Sequence, residues 1–190
     1  GPTVQPTPAP TVSSEPAMSG GYQIGPDGVL VRPAEFAADT YTKPELPEAA
    51  KENSERGAEA AAEHYLALLV YAWNTGDTQP FADMSSPTSK FASDYINDVN
   101  EQYANGWSYG MESNITHVLR VEPIAANGDD VPEGSILVKF RTETDDGTSC
   151  TRTKLQSSSS TYKSTVTFIM TWRDGGWKEV QGRTVGDNEG

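Results

Sequence analysis

The side chains of this sequence best able to do chemistry are two histidines, one cysteine and a set of scattered tyrosines and tryptophans. His117 falls in the run Met111, Ser113, Ile115, His117, Leu119, Val121, which alternates with polar partners. Strand parity therefore puts its imidazole on an apolar face. An imidazole there is either a base or ligand inside a cavity, or a buried and satisfied histidine. Parity alone favours the second. His64 flanks the apolar stripe of a helix and needs no function. The two histidines lack metal-ligand spacing. The single Cys150 excludes an intrachain disulfide and a multi-cysteine metal site. It sits in the polar stretch "TSCTRT", with no paired histidine or helix N-terminus to lower its pKa, so it does not read as a nucleophile. Asp129-Asp130 and Asp145-Asp146 lack the alternating oxygen ligands of a calcium loop and read as turns. No catalytic residue, metal site or cofactor is assigned.

The aromatic residues remain. Tyr65, Tyr95, Trp107, Tyr109 and Trp172, together with His117, are the candidate lining of a pocket. No Asp or Glu is read on an inward strand position beside them. Asp94, on a helix, is the nearest acid and belongs to a solvated face. Aromatic lining without a placed acid points to binding of an apolar or aromatic group rather than to proton abstraction.

These residues must be positioned by helices followed by strands. From Glu48 to Asn74 the pattern is helical, with Tyr65, Leu68, Leu69, Ala72 and Trp73 on one stripe. Gly76 stops it. A short second helix carries Phe81 and Met84. Ser86-Pro87 reads as the cap and first turn of a third helix, which shows Phe91, Tyr95, Val99 and Tyr103 on one side. After Gly106 the period changes to two. Ile136, Val138 and Phe140 alternate with Leu137, Lys139 and Arg141. Asp145-Asp146-Gly147 reads as a hairpin turn into a strand over Thr148–Gln156. Val166, Phe168, Met170 and Trp172 form the apolar face of a later strand, and Asp174-Gly175-Gly176 turns it into a last one. The fold class is α+β, with three N-terminal helices packed on a curved antiparallel sheet in the shape of a cone.

The first residues differ from the rest. Nine of the thirteen prolines lie within the first 47 residues, and "GPTVQPTPAPTVSSEP" has almost nothing to bury. Residues 1–21 are expected to be a disordered linker. Residues 22–46 are expected to be a partly ordered strap, and 47–186 the cone-shaped domain. The net charge of −13 disfavours nucleic acid and anionic lipid surfaces as partners.

The order of helix, short helix, helix and curved meander resembles the nuclear-transport-factor-2-like fold, and "DGGWKEV" is similar to the closing hairpin of that group. The stretches "PELPEAAKENSERGAEAAAEHYLALLVYAWNTGD" and "SSPTSKFASDYINDVNEQYANGW" resemble an uncharacterised domain of actinobacterial lipoproteins, over roughly residues 45–185. The resemblance implies an extracellular location tethered to the cell membrane, with a lipid anchor upstream of the Pro/Thr/Ser segment. Isomerases of the cone fold use a tyrosine with a carboxylic acid to hold an oxyanion, plus an aspartate base. The expected function is a non-catalytic binding or interaction module of the cell envelope, its partner a small apolar ligand or an envelope protein. The alternatives are an isomerase- or hydratase-like enzyme using the same cavity, and a structural protein whose cone is filled by its own side chains.

Overall fold

A computed structural model describes residues 20–187, so most of the expected linker lies outside the described residues. Helix α1 (Glu55–Thr75) is capped by Ser54, whose Oγ accepts from the Gly57 amide at 3.0 Å, and ends at Gly76 with φ 80°. It starts later than its periodicity suggests. Glu48–Lys51 is instead a separate turn of 3-10 helix. The chain folds back over the first turn of α1, and a Cβ on Gly57 would lie 1.9 Å from the Glu52 carbonyl oxygen. Glycine is what permits that approach.

Helix α2 (Gln79–Asp83) is short, and α3 spans Lys90–Ala104. Ser86-Pro87 does not begin α3. The Ser86 amide donates to the Glu179 carbonyl at 2.7 Å, which pins this residue to the sheet. The helix starts at the next serine, Ser89, whose Oγ accepts from the Ala92 amide at 3.1 Å.

Seven strands follow: β1 (Gly106–Tyr109), β2 (Glu112–Pro123), β3 (Ile136–Asp145), β4 (Thr148–Thr151), β5 (Lys154–Ser157), β6 (Tyr162–Arg173) and β7 (Gly176–Gly186). They form an antiparallel sheet of order β2-β3-β6-β7 and a smaller one of order β1-β4-β5. Asp145-Asp146-Gly147 is not a hairpin turn. The pairs Trp107↔Cys150 and Tyr109↔Thr148 continue into Glu112↔Asp145, so β1-β2 and β3-β4 are one long ribbon with a bend in it. Gly110 and Gly147 sit at that bend with φ 78° and 71°. A Cβ on Gly147 would lie 2.2 Å from the Tyr109 carbonyl oxygen. The chain reverses further on, at Arg152, which takes φ 54°, so the expected strand 148–156 is itself a hairpin.

The bend is held from the helical side by Asn74, the penultimate residue of α1. Its Nδ2 donates to the Met111 carbonyl at 3.0 Å, and its Oδ1 accepts from the Met111 amide at 2.9 Å. This buried amide pairs with the bend as a strand neighbour would, satisfying both backbone groups.

The concave face of the larger sheet packs on α1. Phe140 pairs with Val166, Val138 with Phe168 and Ile136 with Met170, all of them buried. The Tyr65 ring stacks on Phe81 at 4.4 Å and meets the Phe168 ring edge-on at 4.9 Å. Phe140 and Phe91 also meet Phe168 edge-on. The interior of the cone is therefore filled by its own rings. A second apolar cluster lies on the small sheet, where Leu30, Trp107, Tyr109 and Cys150 are buried and Tyr22, Ile24 and Tyr41 pack against them. The Leu30 amide donates to the Arg152 carbonyl at 2.8 Å, and Trp107 Nε1 donates to the Leu30 carbonyl at 2.7 Å. Arg32 ties the same segment to the end of α1, its Nη2 donating to the Asn74 carbonyl at 2.6 Å. A cation there also complements the helix C-terminus.

Candidate functional site

The six residues expected to line one pocket do not come together. Tyr65 belongs to the core and is fully buried. Trp107 and Tyr109 belong to the second cluster, where the Tyr22 and Tyr109 hydroxyls share a short hydrogen bond and Phe36 stacks on Tyr109 at 4.2 Å. Trp172 is half-buried beside Trp177, whose Nε1 donates to the Glu52 carbonyl just before α1. Tyr95, on α3, reaches across to α1, its hydroxyl donating to the Leu69 carbonyl at 2.8 Å.

His117 is a correction. It does not point into the cone. The pairing jumps from Ile115↔Thr142 to His117↔Arg141, and again between Val118↔Phe140 and Arg120↔Lys139. Each bulge adds a residue and reverses the parity that follows it. His117 is therefore exposed, and its Nδ1 is 3.1 Å from the Thr116 hydroxyl. Trp73, read on the same apolar stripe as the buried Tyr65, Leu68, Leu69 and Ala72, is only half-buried.

An inward acid exists after all: Glu179 of β7. It is fully buried, and its Oε2 accepts from the Ser89 hydroxyl at 2.9 Å. Its Oε1 is a buried oxygen with no hydrogen-bond partner among the described residues. Burial pushes this carboxyl up to about 7, against the stabilising hydroxyls of Ser89 and Tyr65. The Tyr65 phenol is held well above its ordinary value, first by burial and then by the charge of Glu179. Its hydroxyl shares a 2.7 Å hydrogen bond with Ser85, which donates onward to the Phe81 carbonyl. The sequence carried a signal for Glu179, because it has the same strand parity as Trp177, two residues before it. Cys150 is buried, its thiol donates to the Arg152 carbonyl, and burial raises its pKa, so it is a structural cysteine.

A groove of about 740 Å³ where the ribbon bends does contain a candidate residue, Tyr95. Trp73, Tyr95 and Met111 give it an apolar wall. Asp98, Asp146, Ser149 and Gln156 line the rest with oxygen and amide groups. The groove exists because α1, α3 and the bend converge there. Asn74 fixes the backbone of Met111, and Gly147 lets the strand turn away. Tyr162 of β6 donates to Asp146 Oδ1 at 2.9 Å. A second hollow of about 660 Å³, beside the final hairpin, is lined by Leu46, His64, Leu68, Met84, Trp177 and several mixed charges. Burial lowers the pKa of His64.

A family model described as a family of unknown function, DUF6318, matches residues 34–182, most of the chain. The chain belongs to that family. The DUF6318 match spans the three helices and nearly all of both sheets, but it begins after Leu30, so most of the residues that cover Trp107 precede it. Among curated proteins no sequence matches. Among solved structures, the intermembrane space region of the chloroplast protein ARC6 is similar at 13% identity. It covers 70% of this chain and 98% of that one, with a TM-score of 0.50. A calcium/calmodulin-dependent protein kinase II association domain from Xanthomonas campestris is similar at 16% identity over 79% of this chain and 97% of its own, with a TM-score of 0.48. A nuclear-transport-factor-2-like protein from Anabaena variabilis is similar at 18% identity over 66% and 86%, with a TM-score of 0.33. Identities this low speak of fold alone, and the two lower scores add no argument. The DUF6318 chain has the α+β cone architecture expected from its sequence.

Proposed function

We propose that this protein is a non-catalytic binding module whose site is the groove at the ribbon bend rather than the interior of the cone. One observation carries the reading. Tyr65, Phe81, Phe140 and Phe168 are each 0% exposed and fill the interior, while Trp73, Tyr95 and Met111 line a concave surface at its rim. A ligand site is usually a concave, mostly apolar surface with a few placed polar groups, and the groove has that composition. The isomerase-like alternative gains the acid it lacked, Glu179 beside Tyr65. That pair lies within the packed core, both residues being 0% exposed. The reading of a purely structural, filled cone leaves the aromatic rim of the groove without a role.

An envelope-tethered location belongs to the same proposal. It is supported by the resemblance to lipoprotein domains and by the Pro/Thr/Ser composition of the first residues, which suits a spacer. Fractionation of cells carrying the native gene tests it. The protein is expected with the membranes and accessible to protease from outside, and a cytosolic protein overturns it. For the groove, the test is an NMR screen of small aromatic fragments. Shifts are expected on Trp73, Tyr95 and Met111. Hits confined to other surfaces would remove the groove as the site.

A further inference from the structure

We infer that the ligand of this groove is a small organic cation, an ammonium carried on an apolar or aromatic stem. The inference rests on the groove being the binding site and adds the charge of what it takes.

The lining carries two carboxylates, Asp98 from α3 and Asp146 from the bend, and no basic side chain. The Tyr95 phenol is held above its ordinary value first by burial, then by Tyr103 and Tyr162, and then by Asp98 and Asp146. Among the described residues neither takes part in an ion pair. Asp146 accepts only a neutral donor, the Tyr162 hydroxyl, so its charge stays uncompensated. The indole of Trp73 and the phenol ring of Tyr95 line the same groove as these acids. Aromatic faces and carboxylates both favour a cation, and an apolar wall favours a stem over a bare metal ion. Ser149, Ser157 and Gln156 also line the groove and supply hydroxyl and amide groups able to hydrogen-bond a polar tail. The occupant is a small molecule rather than a peptide because the groove, at about 740 Å³, is of drug-sized rather than chain-length dimensions.

The test uses three probes of one shape class on the intact chain: benzyltrimethylammonium, neutral benzyl alcohol and anionic benzenesulfonate. Binding is followed by chemical-shift changes at the Trp73 indole and the Gly147 and Gln156 amides. The cation is expected to bind about tenfold tighter than the alcohol, and the sulfonate weakest of the three. In the double variant Asp98→Asn, Asp146→Asn, the cation's preference over the alcohol should fall several-fold. Both sites are exposed, and an unchanged melting temperature and spectrum outside the groove confirm that the fold is intact. Raising the salt concentration should weaken the cation but not the alcohol. Equal binding of cation and alcohol at these residues overturns the charge inference and leaves the binding-groove reading standing. Binding of none of the three overturns the small-cation proposal. Shifts confined to other surfaces overturn both readings.

Discussion

Glu179 enters the core as an acid with one satisfied oxygen and one orphan, which is why burial raises its pKa from an ordinary 4.5 to about 7. The folded protein then binds this proton more tightly than the unfolded chain. Its contribution to stability is fully present below pH 4.5 and falls away as pH rises to about 7, by about 1.4 kcal/mol per unit, or roughly 3 kcal/mol in all. Glu179→Gln stays neutral and should lose this slope. Urea unfolding at pH 4.5 and pH 8 is expected to show the variant gaining on the wild type at the higher pH. His64, whose pKa burial depresses, gives the opposite slope below its ordinary 6.5 in both proteins, so the difference between them isolates Glu179. Parallel profiles would mean that the carboxyl is charged and solvated. Asn74 is the other residue whose polarity is structural. Asn74→Ala leaves the Met111 amide and carbonyl without their partner, and should cost about 2 kcal/mol or more in the same assay. His117→Ala, at an exposed edge strand, should change stability by less than about 0.5 kcal/mol.

The element on which the architecture turns is the bent ribbon. Without the bend at Gly110 and Gly147, β4 would continue the plane of β3 and there would be neither a small sheet nor a groove. Gly147→Ala puts a methyl group against the backbone of Tyr109 and Gly110 in a left-handed conformation. It should cost at least about 2 kcal/mol and broaden the Met111 and Ser149 resonances. A melting temperature within a degree of the wild type would show that the ribbon accommodates the bend differently. The segment around Leu30 is the lid of the second cluster. Leu30 is only 2% exposed, so Leu30→Ala should cost about 2–4 kcal/mol and shift the emission of Trp107, whose indole bonds to the Leu30 carbonyl. The final hairpin is tight because Asp174 and Gly175 both take positive φ, the mirror-image turn that matches strand twist.

At the scale of the whole molecule, two apolar clusters share one chain, and the groove lies where α1, α3 and the bend of the ribbon meet. Removing residues 1–19 should leave the melting temperature unchanged, because their Pro/Thr/Ser composition offers no apolar stripe to bury. A drop of several degrees would mean that the segment packs on the domain. Trp73→Ala, at a half-buried position, should cost about 1 kcal/mol of stability while removing most fragment binding. A loss of 3 kcal/mol or more would place the indole in the core and take away its role at the groove.

By itself the sequence determined the class of the fold, the order of its elements and the inward set Val138, Phe140, Val166, Phe168 and Met170. Those follow from periodicity, which local sterics and burial impose wherever a strand or helix is regular. It also showed Tyr95 as an aromatic of interest. It could not place His117, because a bulge is one extra residue in the register and leaves no mark on the alternation before it. Nor did it separate Trp107 and Tyr109 from Tyr65. Which sheet a strand joins depends on where the ribbon bends, and Asp-Asp-Gly serves a bend as readily as a reversal. Glu179 was legible by parity, but its meaning was not. Whether an inward carboxylate meets solvent, a cation or a serine at a helix start is decided by elements ninety residues apart in the chain. The groove is the most tertiary feature of all, because its walls come from α1, α3, the bend and β4-β5 and exist only when these are packed together.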